Sequence, residues 1–465
     1  MKTQSTASKS DFSKGPVWKS ILTLSIPLII AQLVHLLYNI VDRIFIGHIP
    51  DTGSLALTGL GITFPVVTII MAFAALFGMG GVPLFSIERG AGNPEKAGLI
   101  LGNSFSLLVI SAAVLTVLGY IFCRPLLYAF GASDMSYGYA ASYLRIYLIG
   151  TVFSIIATGL NGYISSQGFP RTGMLSVTIG AAVNIALDPI FIFTLNMGVA
   201  GAALATVISQ FISAFWVLHF LFGKKALISL KPENMVINKS IAASIAKLGT
   251  SNAVMQGTTC LVQIACNNTL QLYGGDLYVG IMTVTNSVRD LFLLQVSGLG
   301  NGAQPVISYN YGAKEYGRVR KGVNFMTVVS LAGTAVTWLL IFLLPRVWFG
   351  MFSDDLQMIE AGVPMLRIYF TGFVFMALQF SGQTTFLSLG DAKHAITFSL
   401  LRKVIIVVPL TLILPALGFG VKGVFLAEPI SNIIGGSICY ITMRLTALKK
   451  MSAAAEEEGF GTGTD

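Results

Sequence analysis

The stretch Leu144-Arg145-Ile146-Tyr147, followed by Val152-Phe153, decides how this chain is read. It returns 222 residues later as Leu366-Arg367-Ile368-Tyr369, followed by Val374-Phe375. The same offset pairs Gly78, Gly80 and Pro83 with Gly300, Gly302 and Pro305, and Gly90-Ala91 with Gly312-Ala313. It also pairs Gly198-Val199 and Gly201 with Gly420-Val421 and Gly423, and Ile208-Ser209 with Ile430-Ser431. Identities held at one offset mark two copies of a unit.

The copies are strongly apolar. Of 465 residues, 54% are hydrophobic and 11% charged, where a soluble domain carries about a quarter charged. Mean hydropathy is +0.77. Apolar runs long enough to cross a bilayer, about 20 residues each, fill most of the sequence. We place them at 17–45, 54–84, 97–123, 137–163, 171–195, 199–222, 240–271, 278–309, 318–345, 361–388, 393–417 and 421–446. Six spans per copy is an even number, so both copies enter the membrane in the same direction, related by an axis along its normal. The expected fold is an all-α integral membrane protein of 12 transmembrane helices in two six-helix lobes, a parallel internal repeat. The expected organisation is an N-terminal tail at 1–16, an N-lobe at 17–222, an inter-lobe linker at 223–239, a C-lobe at 240–446 and a disordered tail at 447–465.

The net charge of +9 is a topology signal rather than a nucleic-acid one. Twenty of the 29 basic residues fall in the tails and alternate loops on one side, from Lys2 through the Lys224 to Lys247 group to Lys450. The opposite loops hold only Arg43, Arg124, Arg346 and Lys422. By the positive-inside rule both termini are cytoplasmic. Cys123, Cys260, Cys266 and Cys439 lack metal spacing and read as small core residues. The histidines also lack ligand spacing, and no phosphate loop, H-E-x-x-H or G-x-S-x-G occurs. No ATP hydrolysis is encoded, so uphill transport would draw on an ion gradient.

Ionisable groups at mid-membrane cost at least about 2.5–3.5 kcal/mol each, so they point to function. Asp42, Asp188, Asp290 and Glu428 bear that cost. Asp290 directly follows Arg289, so the two side chains are expected to diverge. Tyr38 shares a helix face with Asp42, and Asn184 with Asp188, four residues apart in each case. Asp188 and Thr206 each lie nine residues from the hairpin at Met197, hence at equal depth on neighbouring helices. Two carboxylates, an amide and a hydroxyl are hard oxygen donors suited to a small cation, and equally to a shared proton. A satisfied hydrogen-bond network without an ion is the competing reading. Glu428 is the repeat counterpart of Thr206 and, with Gln256, is a candidate second-lobe proton or substrate site. Pro27 removes a backbone donor inside the first span, as a static kink or a hinge.

These features together resemble the multidrug and toxic compound extrusion (MATE) transporters, and within them the prokaryotic DinF-like branch, over about residues 15 to 446. The six-plus-six repeat, Pro27, Asp42, Asn184-x-x-x-Asp188-Pro189 and Thr206 carry the resemblance. It implies a V-shaped pair of lobes that exchanges cationic or amphipathic compounds for Na⁺ or H⁺. It also implies that Asp42, Asn184, Asp188 and Thr206 form the cation site, with Tyr38 and Asn161 as hydrogen-bonding neighbours and Pro27 as a bend. The family's other placement of acids, in helices 7 and 10, is missing: Gln256 is there and no acid. The expected protein is a monomeric multi-pass efflux antiporter of the cell's inner membrane, not an enzyme and with no cofactor beyond its coupling ion. Two other readings stay open: a lipid-linked oligosaccharide flippase using Arg145, Arg289, Arg367, Arg402 and Lys403, and an intramembrane enzyme with an Asp42–Asp188 dyad.

Overall fold

The computed structural model describes residues 11–50, 52–352 and 355–451, with the side chains of Ser54 and Gln256 excepted. Among these residues there are helices and turns but no strands, as a chain that must satisfy its backbone within lipid requires. The first repeat contains α1 (Val17–Gly47), α2 (Gly53–Ala74), α3 (Gly81–Gly90), α4 (Pro94–Ile121), α5 (Cys123–Ala129), α6 (Asp134–Ile149), α7 (Thr151–Ser166), α8 (Pro170–Pro189) and α9 (Gly198–Phe222). The second contains α10 (Lys239–Gly312), α11 (Tyr316–Leu343), α12 (Pro345–Gly350), α13 (Leu356–Phe370), α14 (Phe373–Ser388), α15 (Ala392–Leu400), α16 (Val408–Leu414) and α17 (Val421–Met443). Wide π turns join several of them, at Ala75–Met79, Ile190–Thr194 and Leu401–Val407 among others.

Nine helices among the described residues are long and apolar enough to cross a membrane, and two bent pairs, α6 with α7 and α13 with α14, add two more crossings. The 74-residue α10 would be about 110 Å long if straight, far beyond one bilayer, and it breaks at Gly275, whose φ of 68° favours glycine. It therefore makes two passes, and the total is twelve. The two bent pairs are the spans expected at 137–163 and 361–388. Their angles are 58° and 44°. Each bend lies at a repeat-related glycine packed against a neighbour. A Cβ on Gly150 would sit 2.5 Å from Val207 Cγ2, and one on Gly372 would sit 2.5 Å from the Pro429 carbonyl oxygen.

By packing, the described chain divides into two compact units, one of Ile30–Asn252 and one of Phe12–Ile29 with the residues from Ala253 onward. The boundaries therefore fall inside α1 and α10, not at the 223–239 linker. They are repeat-related, since Ile30 and Asn252 stand 222 residues apart, as do Pro27 and Gly249. Small residues set this arrangement. In the second unit Gly298 and Gly302 leave room for Ile29 and Ser25 of α1, and Ser25 Oγ donates to the Leu299 carbonyl at 3.3 Å. In the first unit Gly80 leaves room for the start of α10, where a Cβ would meet the Ile245 carbonyl oxygen at 2.6 Å. Helix α1 remains helical through Pro27.

The linker is fastened to the first unit. Asn103, fully buried in α4, donates from Nδ2 to the carbonyls of Asn234 and Val236 and accepts from the Asn238 amide at 2.7 Å. Gln167 Oε1 accepts from the Ile228 amide at 3.0 Å. At the other end, helix continues through Met451, which corrects the expected disordered start at 447; residues 1–10 and 452–465 lie outside the described residues.

Candidate functional site

Apolar surroundings make the polar groups of the first unit stand out. Its core runs from Ile46 through Phe85, Leu144 and Leu160 to Phe220. Enclosed near it, Asp42 of α1 is 8% exposed, Asn184 and Asp188 of α8 are 1% and 0% exposed, and Thr206 of α9 is 8% exposed. Asp42, Asn184 and Asp188 come together, the two carboxyls close enough for their charges to interact. Asn184 Nδ2 donates to Asp188 Oδ1 at 3.3 Å, which leaves its own carbonyl oxygen free to face elsewhere. Thr206 Oγ1 donates to the Ala202 carbonyl at 2.9 Å, so its lone pairs remain available.

Three oxygens here are buried without a hydrogen-bond partner: Asp42 Oδ1, Asn184 Oδ1 and Asp188 Oδ2. All are acceptors. A buried acceptor left unsatisfied costs about 1–3 kcal/mol, and more when charged, so three in one place ask for a cation or a proton. The donor set consists of hard oxygens, which fits Na⁺ as well as H⁺.

The supporting residues differ from expectation. Tyr38 stays close enough to Asp42 to interact with its charge, but its hydroxyl pairs with His35 Nε2 at 3.3 Å. Asn161 donates to the Gly173 carbonyl at 3.0 Å and to Ser176 Oγ at 2.8 Å. It thus ties α7 to the start of α8 and positions the helix that carries Asn184 and Asp188. Sequence reasoning missed Tyr143 and Tyr147, a buried i, i+4 pair on α6. Tyr143 lies close enough to Asp42 to sense its charge, while the Tyr147 hydroxyl pairs with Ser154 Oγ at 3.3 Å. Their four-residue spacing was the available signal.

The second unit has a different centre. Glu428 of α17 is 4% exposed, and its Oε1 accepts from Arg402 Nη1 at 3.0 Å and Lys403 Nζ at 3.1 Å. Arg402 Nη1 also donates to Asn432 Oδ1 at 2.5 Å. Glu428, the candidate second proton or substrate site, is thus already held by two cations. Consecutive residues diverge by about 100° on an α-helix, but the wide turn Leu401–Val407 brings both basic chains to one acceptor. Gln256 lies in α10, and its side chain is outside the described residues. The expected divergence of Arg289 and Asp290 is also corrected. The arginine folds back so that Nε and Nη2 donate to Asp290 Oδ1 at 3.1 and 2.9 Å. Among the described residues no group of three or more His, Cys, Asp or Glu could hold a metal.

A repeat of six spans per copy, bent at matching glycines and enclosing polar centres, defines a polytopic transporter-type membrane fold. The MatE family model matches residues 27–190 and again 251–413, once per repeat, and the chain belongs to that family. Among curated relatives, the multidrug export protein MepA of Staphylococcus saprophyticus is 25% identical over 445 residues, 94% of this chain and 97% of the relative. MepA of Staphylococcus aureus strain MRSA252 is 25% identical over 436 residues, 93% and 94% of the two chains. The crystal structure of MATE in the bent conformation matches with a TM-score of 0.90 at 23% identity, covering 96% of this chain and 99% of that one. An outward-facing multidrug resistance MATE family transporter of the MOP superfamily matches with a TM-score of 0.88 at 23% identity, covering 94% and 97%.

Proposed function

We propose that this chain is a secondary antiporter of the cell membrane, with both termini cytoplasmic, that exports cationic or amphipathic organic compounds in exchange for Na⁺ or H⁺. The three unpartnered buried oxygens of Asp42, Asn184 and Asp188 carry the reading. They form a negative, dehydrated site that a small cation relieves. The MepA relatives are multidrug export proteins, which supports the substrate class. An ion drives transport only if it binds one conformation better than the other, and the carboxyl pair supplies such a charge-dependent element. Loading it with a cation or protons removes its attraction for an organic cation. The protein works as a monomer in this reading, since each step uses groups of one chain.

The test uses proteoliposomes with separately imposed sodium and pH gradients, scored for efflux of a cationic dye. Gradient-driven efflux is expected in the wild type and not in Asp42→Asn or Asp188→Asn. Full efflux in both variants would overturn the site. A lipid-linked oligosaccharide flippase is the second reading, favoured by the buried Arg402 and Lys403; binding of an anionic lipid-linked sugar with no response to cationic dyes would select it. For an intramembrane enzyme, the Asp42–Asp188 pair is the only supporting feature among the described residues.

A further inference from the structure

A cleft lies within the second unit; the space from its lining out to the open surroundings is about 390 Å³, and its enclosed part has room for about one water. Gln263, Asn286, Arg289, Tyr369, Lys403 and Glu428 line it. Its charges do not balance. Arg402 and Lys403, 7% and 6% exposed, face the single buried carboxylate of Glu428. Arg289 is offset by Asp290, whose side chain is 64% exposed. One positive charge is left over, in surroundings where an uncompensated charge is expensive.

The geometry also says where that charge is available. Arg402 Nη1 is divided between Glu428 and Asn432. Lys403 Nζ has three donors and, among the described residues, makes one hydrogen bond, to Glu428 Oε1. Across the cleft Arg289 Nη1 donates to the Tyr369 hydroxyl at 3.0 Å, and that hydroxyl donates to Asn286 Oδ1 at 3.5 Å. The polar side of the wall thus carries the Lys403 and Arg289 donors among apolar neighbours such as Val262 and Met282, with its one carboxylate among the described residues already doubly occupied. The π turn that aligns Arg402 and Lys403 is a backbone feature often found at functional positions.

We propose that this cleft binds a monoanionic group, a carboxylate or a phosphate ester, held by Lys403 Nζ and the Arg289 guanidinium with the Gln263 amide beside them. The site stands independently of the cation site in the first unit. It implies that compounds handled by the protein include some that carry an acid group, or that an anionic lipid headgroup docks there.

The test is equilibrium dialysis of the purified full chain in detergent, in isethionate buffer at fixed sodium, against labelled benzoate, inorganic phosphate and dihexanoyl phosphatidic acid. Saturable binding of at least one probe is expected in the wild type. Lys403→Met leaves Arg402 and Glu428 as a balanced pair and is expected to fold while weakening binding by about tenfold, the loss of one charge-assisted hydrogen bond. Arg289→Gln, which frees only the exposed Asp290, is expected to do the same and decides the matter if Lys403→Met is unstable. Lys403→Arg should stay within about threefold of wild type. Binding of benzoate or phosphate assigns a soluble ligand, and binding of the phosphatidic acid alone assigns a headgroup. Asp42→Asn should bind the probes unchanged, which separates this site from the antiport reading. Absence of saturable binding for all three probes, or undiminished binding in Lys403→Met or Arg289→Gln, would overturn the proposal.

Discussion

Replacing Glu428 by glutamine tests the charge arithmetic of the second unit most directly. The substitution keeps shape and volume but removes the charge that holds two buried cations. In the structure one oxygen, Oε1, receives both bonds, from Arg402 Nη1 at 3.0 Å and Lys403 Nζ at 3.1 Å, and all three side chains are at most 9% exposed. Each charge-assisted bond is worth about 1.5–3 kcal/mol, and removing one partner of a buried ion pair costs about 3–5 kcal/mol. We expect Glu428→Gln to destabilise the chain by about 3–5 kcal/mol, because both cations are largely buried. The measurement is reversible unfolding in mixed micelles, run as a cycle with Lys403→Gln. Lys403 and Glu428 interact directly, so the double variant should lose less than the sum of the singles, with a coupling on the order of 1–3 kcal/mol. A single variant within about 0.5 kcal/mol of wild type, with no coupling, would show that these charges are solvated and the reasoning is wrong.

Four further outcomes are expected. Asp188→Asn should abolish sodium- or proton-driven dye efflux while leaving the helices intact, checked by transport and circular dichroism on the same preparation. Gly150→Ala forces a methyl to 2.5 Å from Val207 Cγ2 and should cost about 1–3 kcal/mol; Val207→Ala in the same chain should recover most of it in thermal unfolding. Asn103→Ala removes three links to the linker and should expose Lys231 and Lys239 to trypsin, with a loss of about 1–3 kcal/mol. Asn161→Ala should slacken α8 and weaken sodium or proton dependence of efflux without abolishing it, whereas Asn161→Ser, which keeps a donor, should retain more.

Much of the fold was legible because the repeat writes itself in identities at one offset and because bilayer thickness fixes span length. The acids were legible for a similar reason: a carboxyl within an apolar helix has few uses, and four-residue spacing placed Asn184 with Asp188. Tyr143 and Tyr147 were not, since a buried tyrosine is ordinary in any helical core and only the packing of α6 brings Tyr143 near Asp42. The pairing at Glu428 was not legible because helix periodicity assumes 3.6 residues per turn. A π turn breaks that rule and lets two adjacent basic residues converge. Arg289 escaped for another reason: its long side chain can fold back onto its immediate neighbour, which directional reasoning from Cβ vectors excludes. The bends at Gly150 and Gly372 sit inside runs whose hydropathy is uniform, so nothing in composition marks them. The division of α1 and α10 between packing units likewise depends on glycines whose partners lie hundreds of residues away.

That division bears on any attempt to translate the repeats as separate polypeptides. A piece ending at residue 222 would carry Phe12–Ile29 away from the glycines of α10 that accommodate it, and a piece beginning at 240 would strip Gly80 of its cover. Neither fragment would be whole alone, and fragment complementation would demand that both be made together. The two repeats therefore have to be inherited as one polypeptide if both sets of glycines are to keep their cover.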